Sequence, residues 1–165
     1  MTARVGKWAG VDDPTPWLND EEQRAWRAFL ESTKVLFDAL DRRLQREASM
    51  PHAYFEILVR LSEADGRAMR MSELADITRS SRSRLSHAVA RLEERGWVQR
   101  EECATDRRGQ IANLTDEGFE VLRAAVPGHV RAVRQYMLDV LQTEQLGQLS
   151  AIGEAIIARV GEQPG

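Results

Sequence analysis

The sequence lacks any apolar run near the roughly 20 residues that a membrane-spanning helix needs, so no membrane partner is expected. Its opening, MTARVGKWAGVDDPTPW, is basic at the start but lacks the apolar stretch of a secretory signal. The single cysteine, Cys103, cannot close an internal disulfide and has no second cysteine to resolve an oxidised thiol. These absences point to a reducing cytoplasm, and of two readings of Cys103, a redox sensor or a small residue in a wing strand, they favour the second. The three histidines, His52, His87 and His129, stand far apart and show no metal-ligand spacing, so no metal site is expected. There is no glycine-rich phosphate loop. Ser86 and His87 are neighbours in the chain, and neighbours on a helix do not face each other, so they do not start a nucleophilic triad. Neither an enzyme nor a cofactor is expected.

What remains is a chain of 165 residues, 42% hydrophobic and 30% charged, which has enough apolar surface for a folded core and too much for disorder. Residues 1–19 read as an irregular arm, because Pro14 and Pro16 forbid a helix while Trp17 and Leu18 give the arm something to bury. Asn19 before Asp20, Glu21 and Glu22 is a helix start. From there Trp26, Leu30, Phe37, Leu40 and Leu44 recur at helical spacing to about residue 47. Pro51 opens a second helix, and Asp65-Gly66 ends it. Ser72 is expected to cap a short helix, SELADIT, and after Arg79-Ser80-Ser81 another helix runs to about Arg95, with Gly96 as its stop. WVQREEC and GQIANLT then alternate apolar and polar residues around ATDRR, which predicts a hairpin. Thr115-Asp116-Glu117 starts a further helix whose buried stripe is expected to be Leu122, Val126, Val130, Val133, Met137 and Leu141, interrupted at Pro127-Gly128. A last helix carries Leu146, Leu149, Ile152, Ile156 and Val160.

The charge is mildly acidic, −3 in sum, yet RSSRSRLSHAVAR (79–91) holds four arginines, a histidine and no carboxylate. On a helical wheel Leu85, Ala88, Val89 and Leu92 share one apolar face. Ser83, His87 and Ala90 lie opposite, flanked by Arg84 and Arg91 on one side and Ser86 on the other, and Arg82 stands at the helix start. Small side chains let a helix enter the major groove, serine donates or accepts, and arginine pairs bidentately with guanine. Carboxylates there would be repelled by phosphate. With the preceding short helix this predicts a helix-turn-helix, and Ser72 and Ser81 join the candidate DNA contacts. Arg107 and Arg108 stand at or beside the hairpin tip, where a minor groove would attract them.

The run MSELADITRSSRSRLSHAVARLEERGWVQR followed by DRRGQIANLTDEG resembles the MarR family of bacterial winged-helix transcription factors. Its most specific part is Asp106-x-Arg108 before Leu114-Thr115-x-x-Gly118. The resemblance implies a mainly α fold with a small β-hairpin wing, a winged helix-turn-helix flanked by long N- and C-terminal dimerisation helices. It also implies a homodimer on a pseudo-palindromic operator, commonly a repressor released by a small aromatic or anionic ligand. The recognition helix falls on Ser81–Arg95 and the wing on about Trp97–Leu114, with Arg108 or Arg107 at the wing tip and Asp106 bracing arginines of wing or helix. One departure is His87, where many relatives carry arginine. The corresponding division of the chain is an arm (1–19), an N-terminal dimerisation helix (20–50), the DNA-binding domain (51–115) and C-terminal dimerisation helices (116–165).

The dimer also follows from physics. A helix of about 27 residues spans roughly 40 Å, longer than the middle domain can cover. Pairing about a two-fold axis buries the stripes and sets two recognition helices about one DNA turn apart. Trp17, Leu18, Val130, Val133, Met137, Leu141, Leu149, Ile152 and Ile156 are the expected interface. Trp26, Phe29, Met50, His52 and Tyr54 are candidates to line an effector pocket, or else belong to the dimer core. Two further readings stand beside a specific regulator: a non-specific architectural DNA binder and a winged-helix protein-interaction module.

Overall fold

The computed structural model describes residues 15–103 and 106–161, without the side chains of residues 103 and 106–108. The chain divides into two compact units at Ala39/Leu40. The first ends within helix α1 (Asp20–Ala48). Its start is locally encoded: the Asn19 side-chain oxygen accepts the N–H groups of Glu21 and Glu22, both at 2.9 Å, and the Glu22 carboxylate accepts the Asn19 N–H at 2.7 Å. Such reciprocal capping satisfies donors that a helix end otherwise leaves open. In this unit Trp17, Leu18, Trp26, Phe29, Leu30, Val35 and Phe37 are exposed.

The second unit holds the core. Helix α2 (His52–Glu63) has Pro51 at its N-cap, which offers no side-chain bond, and Asp41 of α1 supplies one instead, accepting the His52 N–H at 2.7 Å. A turn with Gly66 and Arg67 in the left-handed region leads to strand β1 (Ala68–Arg70). Arg67 is held in that unfavourable conformation by an ion pair with Asp116 (3.2 Å) and by its guanidinium lying 3.7 Å from the Phe119 ring centre. Helices α3 (Met71–Ile77) and α4 (Arg82–Glu94) follow, then strands β2 (Val98–Cys103) and β3 (Asp106–Leu114). The antiparallel sheet has the order β1-β3-β2. The hairpin is where the alternation placed it, except that β3 begins at Asp106, so residues 106–108 of the expected turn belong to the strand. Strand β1 is an addition: three residues carry too little pattern to be read alone, and pairing with residues 111–113 of β3 makes them a strand.

Leu58, Leu61, Leu74, Val89, Leu92 and Met50 are fully buried between these elements. Helix α4 ends with the two bonds of a glycine stop: Gly96 N–H to Glu93 O (2.8 Å) and Trp97 N–H to Leu92 O (3.0 Å), with Gly96 at φ 73. Helix α5 (Asp116–Tyr136) is capped by Thr115, whose hydroxyl accepts the Gly118 N–H at 3.0 Å.

Two expectations for α5 are corrected. The helix is not interrupted at Pro127-Gly128 but continues to Tyr136. Proline removes one helical bond, and the buried neighbours Ala125, Gly128 and Ala132 hold the helix through the gap. The stripe assigned as buried is also split. Within the chain, Leu122 is buried along with Gly118, Ala125, Gly128 and Ala132, whereas Val126 and Val130 are exposed. Beyond Leu122 the small residues Ala125, Gly128 and Ala132 pack against the core while Val126 and Val130 point away. A short turn (Leu138–Val140) precedes helix α6 (Thr143–Gly161), in which no residue is buried. Among the described residues no helix is long and apolar enough to cross a membrane.

Candidate nucleic-acid interface

Helices α3 and α4 and the turn between them form the helix-turn-helix. Thr78 ends α3 and its hydroxyl donates to Leu74 O at 2.7 Å. Arg79 takes a left-handed φ of 50, which reverses the chain, and the Ser80 N–H bonds Ala75 O at 2.9 Å. Ser81 is then extended, and its hydroxyl accepts the Arg84 N–H at 3.3 Å. The serine-rich break thus starts α4, and the Ser81 hydroxyl is engaged as a cap.

The wheel positions are reproduced. Leu85, Val89 and Leu92 are buried, and Arg82, Ser83, Arg84, Ser86, His87 and Arg91 are exposed. Among the described residues, no hydrogen bond or ion pair engages the side chains of Arg82, Ser83, Arg84, Ser86 or His87. Arg91 differs: its guanidinium donates to Glu94 at 2.7 Å, so its charge is partly answered. Ser72 corrects an expectation. The N-cap position of α3 belongs to Arg70, because β1 keeps the chain extended to that residue by pairing it with Ile111. Ser72 is therefore inside the first turn, exposed, and caps nothing. With Arg70, Arg82, Ser86 and Gln110 it lines a cleft of about 360 Å³ between the helix-turn-helix and the wing. Gln110 was missed by sequence reasoning; it carries no motif, and only the fold brings the wing strand beside α4. The side chains of Asp106, Arg107, Arg108 and Cys103 lie outside the described residues.

A second link between α4 and the wing was also missed. The Glu93 carboxylate accepts the backbone N–H of Arg100 at 3.0 Å and the Arg100 Nε–H at 2.6 Å, and Arg100 Nη2 completes the ion pair. Seven residues and a reversal of the chain separate the two, so no local spacing signals the pair.

The candidate effector residues of the second unit do not converge on one cavity. Met50 is 0% exposed and belongs to the core. His52 turns toward His129, with ring centres 5.7 Å apart. Tyr54 faces the other way, toward the Arg95 guanidinium. Positions two apart on a helix point in different directions. Trp26 and Phe29, in the first unit, are exposed and stack with centres 6.3 Å apart. Although the fold joins His52 and His129, among the described residues no third His, Cys, Asp or Glu completes a metal-binding group.

His129 is half-buried, its ring centre lies 4.4 Å from that of Phe55, and its Nδ1 has no hydrogen-bond partner among the described residues. Burial first, and His52 second, hold its imidazole below the ordinary value of 6.5. Arg43 and Glu47 of α1 line the same small space. The fold therefore prefers neutral His129, and stability present above about pH 6.5 is lost as pH falls. In His129→Phe the melting temperature is expected to fall less between pH 7 and 5 than in the wild type. Equal pH slopes would remove His129 as the cause.

Over 92% of its length this chain aligns at 54% identity with Sco3205, a MarR family transcriptional regulator from Streptomyces coelicolor solved in complex with DNA; the match covers 94% of that chain with a TM-score of 0.85. The chain belongs to the MarR family. A second MarR family regulator from Streptomyces coelicolor, AbsC, is 43% identical, over 90% of this chain and all of that one, with a TM-score of 0.85. The MarR family model matches residues 48–109, which run from the end of α1 into the wing. The transcriptional repressor MprA of Escherichia coli K12 is 31% identical over 108 residues, 66% of this chain and only 61% of MprA. MarR membership accounts for the mostly helical fold with its small three-stranded sheet, and its relatives are transcriptional regulators rather than enzymes.

Proposed function

We propose that this chain is a sequence-specific double-stranded-DNA-binding transcriptional regulator that acts as a homodimer and represses. The observation that carries the reading is the outward face of α4: small, hydrogen-bonding side chains with arginines at the helix start that have no partner among the described residues, in a chain 54% identical to a regulator solved with DNA. Arg82, Ser83, Arg84, Ser86 and His87 enter the major groove, and Arg91 contributes less because Glu94 answers it. Ser72, beside the cleft, faces the phosphates, and Arg107 and Arg108 reach the minor groove, braced by Asp106. The resemblance to MprA supports repression.

The dimer reading rests on apolar surface. Val126, Val130, Leu149, Ile152, Ile156, Ile157 and Val160 of the second unit are exposed in the single chain, as are Trp17 and Leu18 of the first, and exposed large apolar side chains in such number favour an interface. A second copy covers these side chains, with Val133, Met137 and Leu141 beside them. Release by a small aromatic or anionic effector belongs to the same proposal. It is supported by the exposed stacked pair Trp26 and Phe29, which offers an aromatic surface. A cytoplasmic location goes with these roles.

The test is selection of duplexes from a randomised pool, followed by affinity measurement by fluorescence anisotropy. A specific regulator binds the selected duplex at least about 10³-fold more tightly than random DNA; equal affinities would indicate an architectural binder, and no salt-dependent binding would indicate a protein-interaction module. Arg84→Ala is expected to weaken the selected duplex by about 10- to 100-fold and to relax preference at one base pair. Arg108→Ala is expected to weaken all duplexes alike and to reduce the salt slope by about 1. Unchanged affinity in both variants would overturn the placement of helix and wing.

A further inference from the structure

Strand β2 lies at the sheet edge and pairs only with β3. Strand β1 supports β3 only over residues 111–113, which face residues 99–101 of β2, so beyond Glu101 the wing is a two-stranded ribbon. Such ribbons twist easily. At the root of the ribbon is Arg100, whose N–H points off the sheet edge and is taken by Glu93 of α4. Both oxygens of the Glu93 carboxylate bind Arg100, one the backbone and one the guanidinium, and the two side chains are only about a quarter exposed (26% for Arg100, 27% for Glu93). Val98, buried one turn of the pleat earlier, anchors the base of the strand.

We propose that Glu93 is a positioning residue that fixes the angle of the wing on the recognition helix, so that both reach one duplex in register. The proposal rests on the DNA-binding reading above. Strand geometry gives the leverage. At about 3.3 Å per residue, the end of β2 at Cys103 lies roughly 10 Å beyond the clamp, and a swing of about 15° moves it by about 3 Å. Hydrogen bonds weaken within a few tenths of an ångström, those of the wing in the minor groove included. Losing the clamp therefore uncouples the wing from the duplex while α4, capped at Ser81 and packed through Leu85, Val89 and Leu92, keeps its place. A partly exposed ion pair contributes little to overall stability, so the effect belongs in DNA binding rather than in melting.

The experiment uses the full chain and the duplex it selects from a randomised pool. Glu93→Ala is expected to bind about 5- to 10-fold more weakly, with its melting temperature within about 2 °C of the wild type. Hydroxyl-radical protection at the outer, wing-contacted positions should be lost, and methylation protection of guanines in the half-site centres should remain. Glu93→Gln, which keeps an oxygen for the Arg100 N–H, should fall between. In an Arg108→Ala background, Glu93→Ala should add less than about twofold, because the wing contact it governs is already gone. Parallel loss of both kinds of protection, full loss in both backgrounds, or wild-type affinity in Glu93→Ala would each overturn the proposal. Failure of the wild type to select any duplex would instead overturn the DNA-binding reading itself.

Discussion

Gly118→Ala is expected to destabilise the folded chain by about 2–4 kcal/mol, although helix propensity alone would have alanine stabilise a helix by about 1 kcal/mol over glycine. Gly118 is in the first turn of α5 with ordinary helical geometry, so the backbone does not demand glycine. The neighbours do. A Cβ there would stand 2.1 Å from the Trp97 carbonyl oxygen, 2.8 Å from its carbon and 2.9 Å from Leu114 Cδ1. Two of these are backbone atoms, which cannot turn aside as a flexible side chain does. Relief requires α5 to move away from the Gly96–Trp97 turn, and three bonds oppose that movement: Thr115 N–H to Trp97 O (3.1 Å), Thr115 hydroxyl to Gly96 O (2.7 Å) and Gly118 N–H to the Thr115 hydroxyl (3.0 Å). The Thr115 hydroxyl both donates and accepts, tying the end of α4 to the start of α5. Urea unfolding should show a lower midpoint with an unchanged slope. A variant as stable as the wild type, or more so, would mean that the close approach is not maintained in solution.

The double substitution Ile152→Glu with Ile156→Glu should leave a monomer at 10 µM on the order-of-magnitude arithmetic of buried apolar side chains, about 1.5–3 kcal/mol each and four per dimer. The two residues are one helical turn apart, and in the single chain they are 54% and 44% exposed. Because α6 buries nothing within its own chain, the core around Leu58, Leu74 and Val89 does not depend on it, and the variant should melt cooperatively. With one copy per duplex the second half-site no longer binds intramolecularly, and affinity should fall by about 10²- to 10⁴-fold. Sedimentation velocity and anisotropy measure the two losses separately. A variant that sediments as a dimer would place α6 outside the interface.

Local signals were readable to the residue where the chain satisfies its own backbone. Asn19 and Thr115 cap from side chains that the sequence shows, and the glycine after α4 stops it where expected. The outward face of α4 was legible for a related reason. Leu85, Val89 and Leu92 recur at the helical period, and once they are buried the remaining positions are exposed by geometry. Where reading failed, the deciding partner was distant. Ser72 looks like a cap, but β1 pairs with β3 and moves the boundary to Arg70. Met50 looks like a pocket residue, but the fold buries it completely in the core.

The order of the helices, the wing, and the basic face of α4 were determined by sequence alone, because periodicity, capping and turn chemistry act between residues a few positions apart. Tertiary structure alone decided that Glu93 holds Arg100, that Gly118 must be small, that Pro127 leaves α5 continuous and that Val126 and Val130 face away from the core. Each of these depends on atoms brought together across the fold, and a side chain's periodic position cannot say which neighbour, if any, will cover it.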